Sequence, residues 1–222
     1  MTDAIEVVRN PRAKVMRLAV DPRDGRVRLT LPRRASLKKA LAWAEQQRAW
    51  IDAQQAKLPQ GRPFVPGARI PFAGTELEIA WAATHPRMPR LEGERLLCGG
   101  PAESLSGRVE RWLRARALAV LSEETAEYAA RANVAVSSVA IGDARGRWGS
   151  CASSGSIRYS WRLILAPPEV RRHTVAHEVA HRIHMNHGPA FHRLVAELYE
   201  GDPDAARLWL RRHGVGLHWV GR

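Results

Sequence analysis

His177-Glu178-Val179-Ala180-His181 is an H-E-x-x-H string, and it prescribes the conformation of its own surroundings. Two histidines four residues apart share a face only if the chain between them is helical, with one turn separating them. In that form both imidazoles reach one metal ion, and Glu178 beside them is free to accept a proton from water activated by the metal. The flanking residues favour such a helix. Pro167-Pro168 suits a first turn, whose N–H groups have no helical partner, and Glu169 complements the positive end of the helix dipole. Projecting residues 168–186 at about 100° per residue puts His173, His177, His181 and His184 on one side. Val175, Val179 and Ile183, with Ala176 and Ala180, fall on the opposite arc. The expectation is a helix over 170–186 with an apolar face for the core and a histidine face for a cleft.

A tetrahedral metal site that performs chemistry needs three protein ligands and one open position. The only cysteines, Cys98 and Cys151, are far apart and form no C-x-x-C pair, so a metal must rely on histidine and carboxylate. Asn186 and Gly188 can end the helix and turn the chain, and Pro189 can begin another helix over 190–199. A histidine in that turn approaches the metal from a new direction, which makes His187 the preferred third ligand. His184, one further turn along the expected helix, is an alternative better suited to a supporting position. His173 and His192 read more readily as polar surface residues, and Glu197 is the alternative for a glutamate-ligand site. The spacing from His177 to His187 fits H-E-x-x-H-x-x-G-x-x-H, but His184 stands where that pattern has glycine.

The remaining sequence predicts an α+β protein. Residues 15–20 and 27–31 alternate as half-buried strands around Asp21-Pro22-Arg23-Asp24-Gly25, predicting a small β-meander, and Ser36 can cap a helix running to Gln55. Trp43 and Trp50 on that helix read as packing residues. Residues 61–74, rich in Pro and Gly, read as a connection; 76–82 and 94–98 are further strand candidates. A proline-free stretch over 104–133 carries a broad apolar helical pattern, and strands are expected at 136–142, 147–151 and 157–161, the last two joined by a hairpin turn at Ser153-Ser154-Gly155. Thus an N-terminal β-rich domain with a helix is expected over 1–102, and a zincin-like catalytic domain with a small sheet and an active-site helix over 103–222.

The motifs Arg147-Trp148-Gly149-Ser150-Cys151, Tyr159-Ser160-Trp161-Arg162-Leu163, Pro167-Pro168-Glu169, His177-Glu178-Val179-Ala180-His181 and Asn186-His187-Gly188-Pro189-Ala190-Phe191 together resemble the YgjP-like metallopeptidase family, whose catalytic unit is similar to that of SprT-like zinc proteases. The resemblance is strong over 147–191 and looser before it. It implies a zincin-like fold, zinc bound by His177, His181 and His187, and Glu178 as general base. Relatives often carry an apolar residue after the second zinc histidine, where this chain has Arg182. The expected activity is hydrolysis of a peptide bond, with Trp148 as a cleft or core residue, the strand over 147–151 as an edge for an extended peptide, and Tyr159, His184 or Arg162 as candidate oxyanion donors.

Two other readings use different chemistry. Many arginines suit a metal-dependent nucleotide pyrophosphatase, but phosphate-handling magnesium sites are built mostly from carboxylates and water rather than imidazoles. A nucleic-acid-associated protein with a structural zinc would close the fourth position with another Cys or His, and no cysteine lies near the motif. The formal charge of +13 is spread over both halves and would attract nucleic acid without sequence preference, unless it serves only as a well-solvated surface. Charges or prolines interrupt every hydrophobic stretch before spanning length, and no apolar run of signal-peptide type opens the chain. The expectations are therefore a cytoplasmic location, no membrane partner and a protein or peptide substrate.

Overall fold

The computed structural model describes residues 5–222; residues 1–4, which the sequence reading includes in its N-terminal unit, lie outside the described residues. The fold is α+β and comprises two compact units, one ending at Gln60 and one spanning Gly61–Arg222.

In the first unit, β1 (Glu6–Arg9), β2 (Arg17–Val20) and β3 (Val27–Leu31) form a sheet of order β1-β3-β2. The β2–β3 hairpin matches the expected strands. The complete sheet is not a meander, because β1 adds a strand parallel to β3. Glu-Val-Val-Arg has no alternation to announce it, whereas Val27, Leu29 and Leu31 alternate inward with period two. Leu29 and Leu31 pack on Ala40 and Ala44 of α1 (Leu37–Gln46), whose first turn is capped by the Ser36 hydroxyl. The single helix expected to Gln55 is interrupted at Gln47, and α2 (Arg48–Gln55) follows.

The second unit begins with β4 (Arg69–Phe72), β5 (Thr75–Trp81), β6 (Arg90–Glu92) and β7 (Arg95–Cys98), in the order β4-β5-β7-β6. Strand β4 occupies part of the stretch read as a connection. Its Pro71 hides the strand in the sequence but is tolerated at the sheet edge, where one side of the backbone needs no partner. The long helix α3 (Leu105–Arg131) then buries Leu105, Val109, Leu113, Ala117 and Leu121, a stripe at four-residue spacing. The second sheet comprises β8 (Ser138–Gly142), β9 (Gly149–Cys151) and β10 (Ser156–Ser160), with β10 central, parallel to β8 and antiparallel to β9. Gly155, at φ 88°, closes the β9–β10 turn. The helices α4 (Pro168–Ala180), α5 (Pro189–Leu198) and α6 (Pro203–Leu217) complete the unit. One buried cluster joins Ile70, Ile79 and Leu96 of the first of these sheets, Leu113 and Leu121 of α3, and Val175 and Val179 of α4.

Helix α4 is fixed from several directions. The Arg171 guanidinium donates to the Glu124 carboxylate of α3 at 2.8–3.1 Å, with both side chains below 10% exposed. Tyr159 of β10 shares a hydrogen bond of 3.0 Å with Thr125, tying the small sheet to the same stretch of α3. Arg162 follows β10 and donates to both Asp143 oxygens and to the carbonyls of Leu217 and Val220, so one buried guanidinium joins the loop after β8 to the C-terminal segment. Among the described residues no helix is long and apolar enough to cross a membrane. Removal of one partner from a buried ion pair strands the other charge. Glu124→Ala should therefore cost about 3–5 kcal/mol in urea denaturation, whereas replacing both Glu124 and Arg171 with apolar residues should recover most of that loss.

Candidate metal centre

Helix α4 ends at Ala180, one turn and more before the expected end at 186, and His181 is its C-cap at φ −64°, ψ −14°. The amides of Ile183 and His184 both fold back onto the Ala180 carbonyl and close the helix. Ile183 consequently leaves the apolar arc and is 46% exposed, while Val175, Ala176, Val179 and Ala180 are buried as expected. The early end also changes the position of His184. It does not continue the histidine face; its carbonyl oxygen accepts a hydrogen bond from His181 Nδ1 at 3.0 Å. A carbonyl can only accept, so Nδ1 carries the proton and Nε2 of His181 is left as a lone-pair donor.

The chain then turns through Asn186 and Gly188, and His187 comes back over the helix. Its Nε2 lies 3.2 Å from Nε2 of His177. One ligand-capable atom from each of His177, His181 and His187 lies within 4.8 Å of the other two. Two nitrogens held tetrahedrally at zinc–nitrogen bonds of about 2.0–2.1 Å stand about 3.3 Å apart, so the observed separation suits a shared ion. Phe191, buried on α5, packs against all three rings, with centroids 4.9, 4.5 and 4.8 Å from those of His177, His181 and His187. That contact restricts the rotation of each imidazole and explains why the cluster is gathered without any ion pair among its members.

Burial favours the neutral form of His177 and of His181. Burial pushes His177 down to about 3, assisted by the neighbouring His181 and His187. Burial also lowers His181, against the opposing effect of the hydrogen bond to the His184 carbonyl. Neutral imidazoles present the lone pairs that a cation requires. Glu178 lies beside them at 6% exposure, and burial raises its carboxyl to about 7 despite the opposing charge of Arg147. Its enclosure comes from β9: a Cβ at Gly149 would stand 2.5–2.7 Å from Oε1, Cγ and Cδ of Glu178. Only a residue without a side chain permits the strand to approach so closely.

The other candidates separate clearly. His173 is buried at 4% exposure rather than on the surface, and neither ring nitrogen has a hydrogen-bond partner. His192 and Glu197 are exposed on α5, outside the three-histidine group. The Tyr159 hydroxyl is buried against Thr125 and Arg162 is committed to Asp143 and the C-terminal carbonyls, so neither is presented to a substrate. Trp148 combines both expected positions, packing against the core while lining a cleft of about 250 Å³ beside His177 and Glu178. Arg182 reaches the carbonyls of Ala135 and Ser153, fastening the end of α4 to the β9–β10 turn.

A family model described as YgjP-like, metallopeptidase domain, matches residues 14–213. The chain belongs to that family. No curated protein and no solved structure gives a significant match. Membership makes the chain a metallopeptidase in general terms and implies a divalent metal ion and a protein or peptide substrate. In this YgjP-like chain two features beside Glu178 carry no signal in the sequence, the close approach of Gly149 and the presence of Arg207 of α6 at the cleft. The Gly149 requirement was concealed because a glycine in a short strand has many explanations, and Arg207 because only the tertiary fold brings α6 to α4.

Two outcomes are expected. Gly149→Ala should displace the Glu178 carboxyl and lower kcat by at least about tenfold while metal content, measured by atomic absorption, stays at the wild-type level. In metal-free protein, the raised Glu178 pKa contributes stability that is complete below 4.5 and is lost as pH rises through about 7. Denaturant titrations across that window should show Glu178→Gln gaining on wild type as pH rises, by up to about 3 kcal/mol. The lowered pKa values of His173 and His177, about 4 and about 3, act in the opposite sense: their contribution is complete above 6.5 and is lost as pH falls through those values, in wild type and variant alike.

Proposed function

We propose that this chain is a zinc-dependent peptidase in which His177, His181 and His187 hold the ion and Glu178 is the general base. The observation that carries the reading is the convergence of three imidazoles within 4.8 Å, immediately beside a buried carboxyl. Zinc is favoured over magnesium or calcium because every ligand in the set is an imidazole, while the harder cations take oxygen. Held there, the ion would supply Lewis acidity, acidifying water and polarising the scissile carbonyl.

The protein's own groups account for the remaining steps. Nε2 of His181 is available because Nδ1 is occupied by the His184 carbonyl. Glu178 accepts the proton of the attacking water on a carboxylate oxygen and delivers it to the leaving amine nitrogen. A base that both takes and returns a proton is most effective when its pKa is near the working pH, and burial raises Glu178 toward that range.

Strand β9 provides the substrate track. It pairs with β10 on one side only, and bonds from Ser160 N to the Trp148 carbonyl and from Ala152 N to the Ser156 carbonyl set the alternation along it. In an antiparallel ladder of that phase, Gly149 and Cys151 direct their N–H and C=O groups to the open edge. An extended peptide would add there as a further strand, with its carbonyl carried past Glu178. The tryptophan preceding the strand, Trp148, would form one wall.

Zinc-loaded wild type should cleave members of a proteome-derived peptide library, and Glu178→Gln should reduce the rate by about 10²–10⁴-fold with zinc content unchanged. Wild-type rates in that variant would remove Glu178 as the base. His187→Ala should lose stoichiometric zinc on dialysis; full retention, measured by mass spectrometry, would place the third ligand elsewhere.

A further inference from the structure

The cleft next to Glu178 is unusually cationic for a site facing a peptide backbone. Arg147 enters it from the loop before β9 and Arg207 from α6, and Glu178 is its only acidic lining residue. The Arg147 charge acts on the Glu178 carboxyl, opposing the effect of burial there. Arg207 spends one terminal nitrogen on Asp204, at 2.6 Å, leaving the other donors of its guanidinium to face elsewhere. Trp148 and Leu210 supply apolar wall on either side.

His173 gives an independent indication of a ligand. It lines this cleft, it is 4% exposed, and both of its ring nitrogens lack partners. A buried imidazole always carries at least one N–H, and such a donor without an acceptor is a standing cost unless something occupies the cleft. His173 precedes His177 by four residues, just over one turn of α4 or about 6 Å along its axis. In an extended peptide that distance corresponds to between one and two residues at about 3.4 Å each.

We infer that the cleft is a carboxylate subsite: the substrate places an acidic group within two residues of the scissile bond, held by Arg147 and Arg207 and accepting a hydrogen bond from the ring of His173. Guanidinium forks match a carboxylate in shape as well as charge. A volume of about 250 Å³ takes one acidic side chain or one chain terminus. The overall charge of +13 draws acidic polypeptides toward the protein in the first place. Two sources present this chemistry, an Asp or Glu side chain and the free C-terminal carboxylate. The inference rests on the peptidase reading for what happens at the neighbouring bond.

The test is a panel of peptides carrying Asp, Glu, Asn or Gln at each of the two positions on either side of the cleaved bond, with free or amidated C-termini. Cleavage by the zinc-loaded full chain is measured as kcat and KM, and binding of labelled peptides to zinc-loaded Glu178→Gln is measured by fluorescence anisotropy. Acidic peptides should bind about tenfold or more tightly than their amide counterparts, the increment expected of a charge-assisted pair. That ratio should collapse in Arg147→Gln and in Arg207→Gln. Loss on amidation alone assigns the chain terminus; persistence in amidated peptides assigns the side chain. Equal binding of Asp and Asn, and of Glu and Gln, together with indifference to amidation, overturns the subsite while leaving the peptidase reading intact, and this comparison needs no arginine variant to fold. If no peptide is cleaved but acidic peptides still bind through both arginines, the subsite stands and the peptidase reading falls. Tighter binding of a nucleoside triphosphate than of any acidic peptide, through the same arginines, overturns the carboxylate assignment in favour of phosphate.

Discussion

The close approach of β9 to α4 at Gly149 is the constraint on which the site depends. Without it Glu178 would lie open to water, keep an ordinary carboxyl pKa and have no wall opposite it. The strand can hold that position because β10 is pinned to α3 through Tyr159 and Thr125, and the helix because Arg171 is pinned to the same α3 through Glu124. Helix α3 is thus the common reference for both sides of the cleft. Displacement of either attachment would change the distance between strand and helix where a few tenths of an ångström separate contact from clash.

The two sides of the three-histidine group are supported differently. Phe191 touches all three rings through an apolar surface and makes no demand on their protonation. The His184 carbonyl acts on a single ring through one hydrogen bond and selects its tautomer. Packing sets the positions of the imidazoles, and a polar contact sets which nitrogen faces inward.

What the sequence made legible was local. The H-E-x-x-H spacing, the prolines at 167 and 168, and Gly155 in the hairpin turn each act within a few residues of themselves, and the corresponding elements are present. His187 was legible as a turn residue next to a helix start, and the structure brings it to His177. The features that escaped depend on distant parts of the chain. The end of α4 at Ala180 is not marked by glycine or proline; β1 shows no alternation and is recruited by β3; β4 carries a proline acceptable only at an edge. His173 looks like a surface residue in a helical projection, yet it is buried, with its ring edge-on to that of Tyr199.

The contact between His181 and residue 184 is made by the main chain. A backbone oxygen is present whatever amino acid is encoded, cannot be ionised and does not rotate away on its own. The identity of the side chain at 184 is therefore free of the duty that its neighbours carry, and a histidine can stand in the place where the H-E-x-x-H-x-x-G-x-x-H pattern has glycine at no cost to the orientation of His181. Variation at this position would register in the shape of the surface above the three histidines, leaving the inner geometry in the keeping of the peptide backbone.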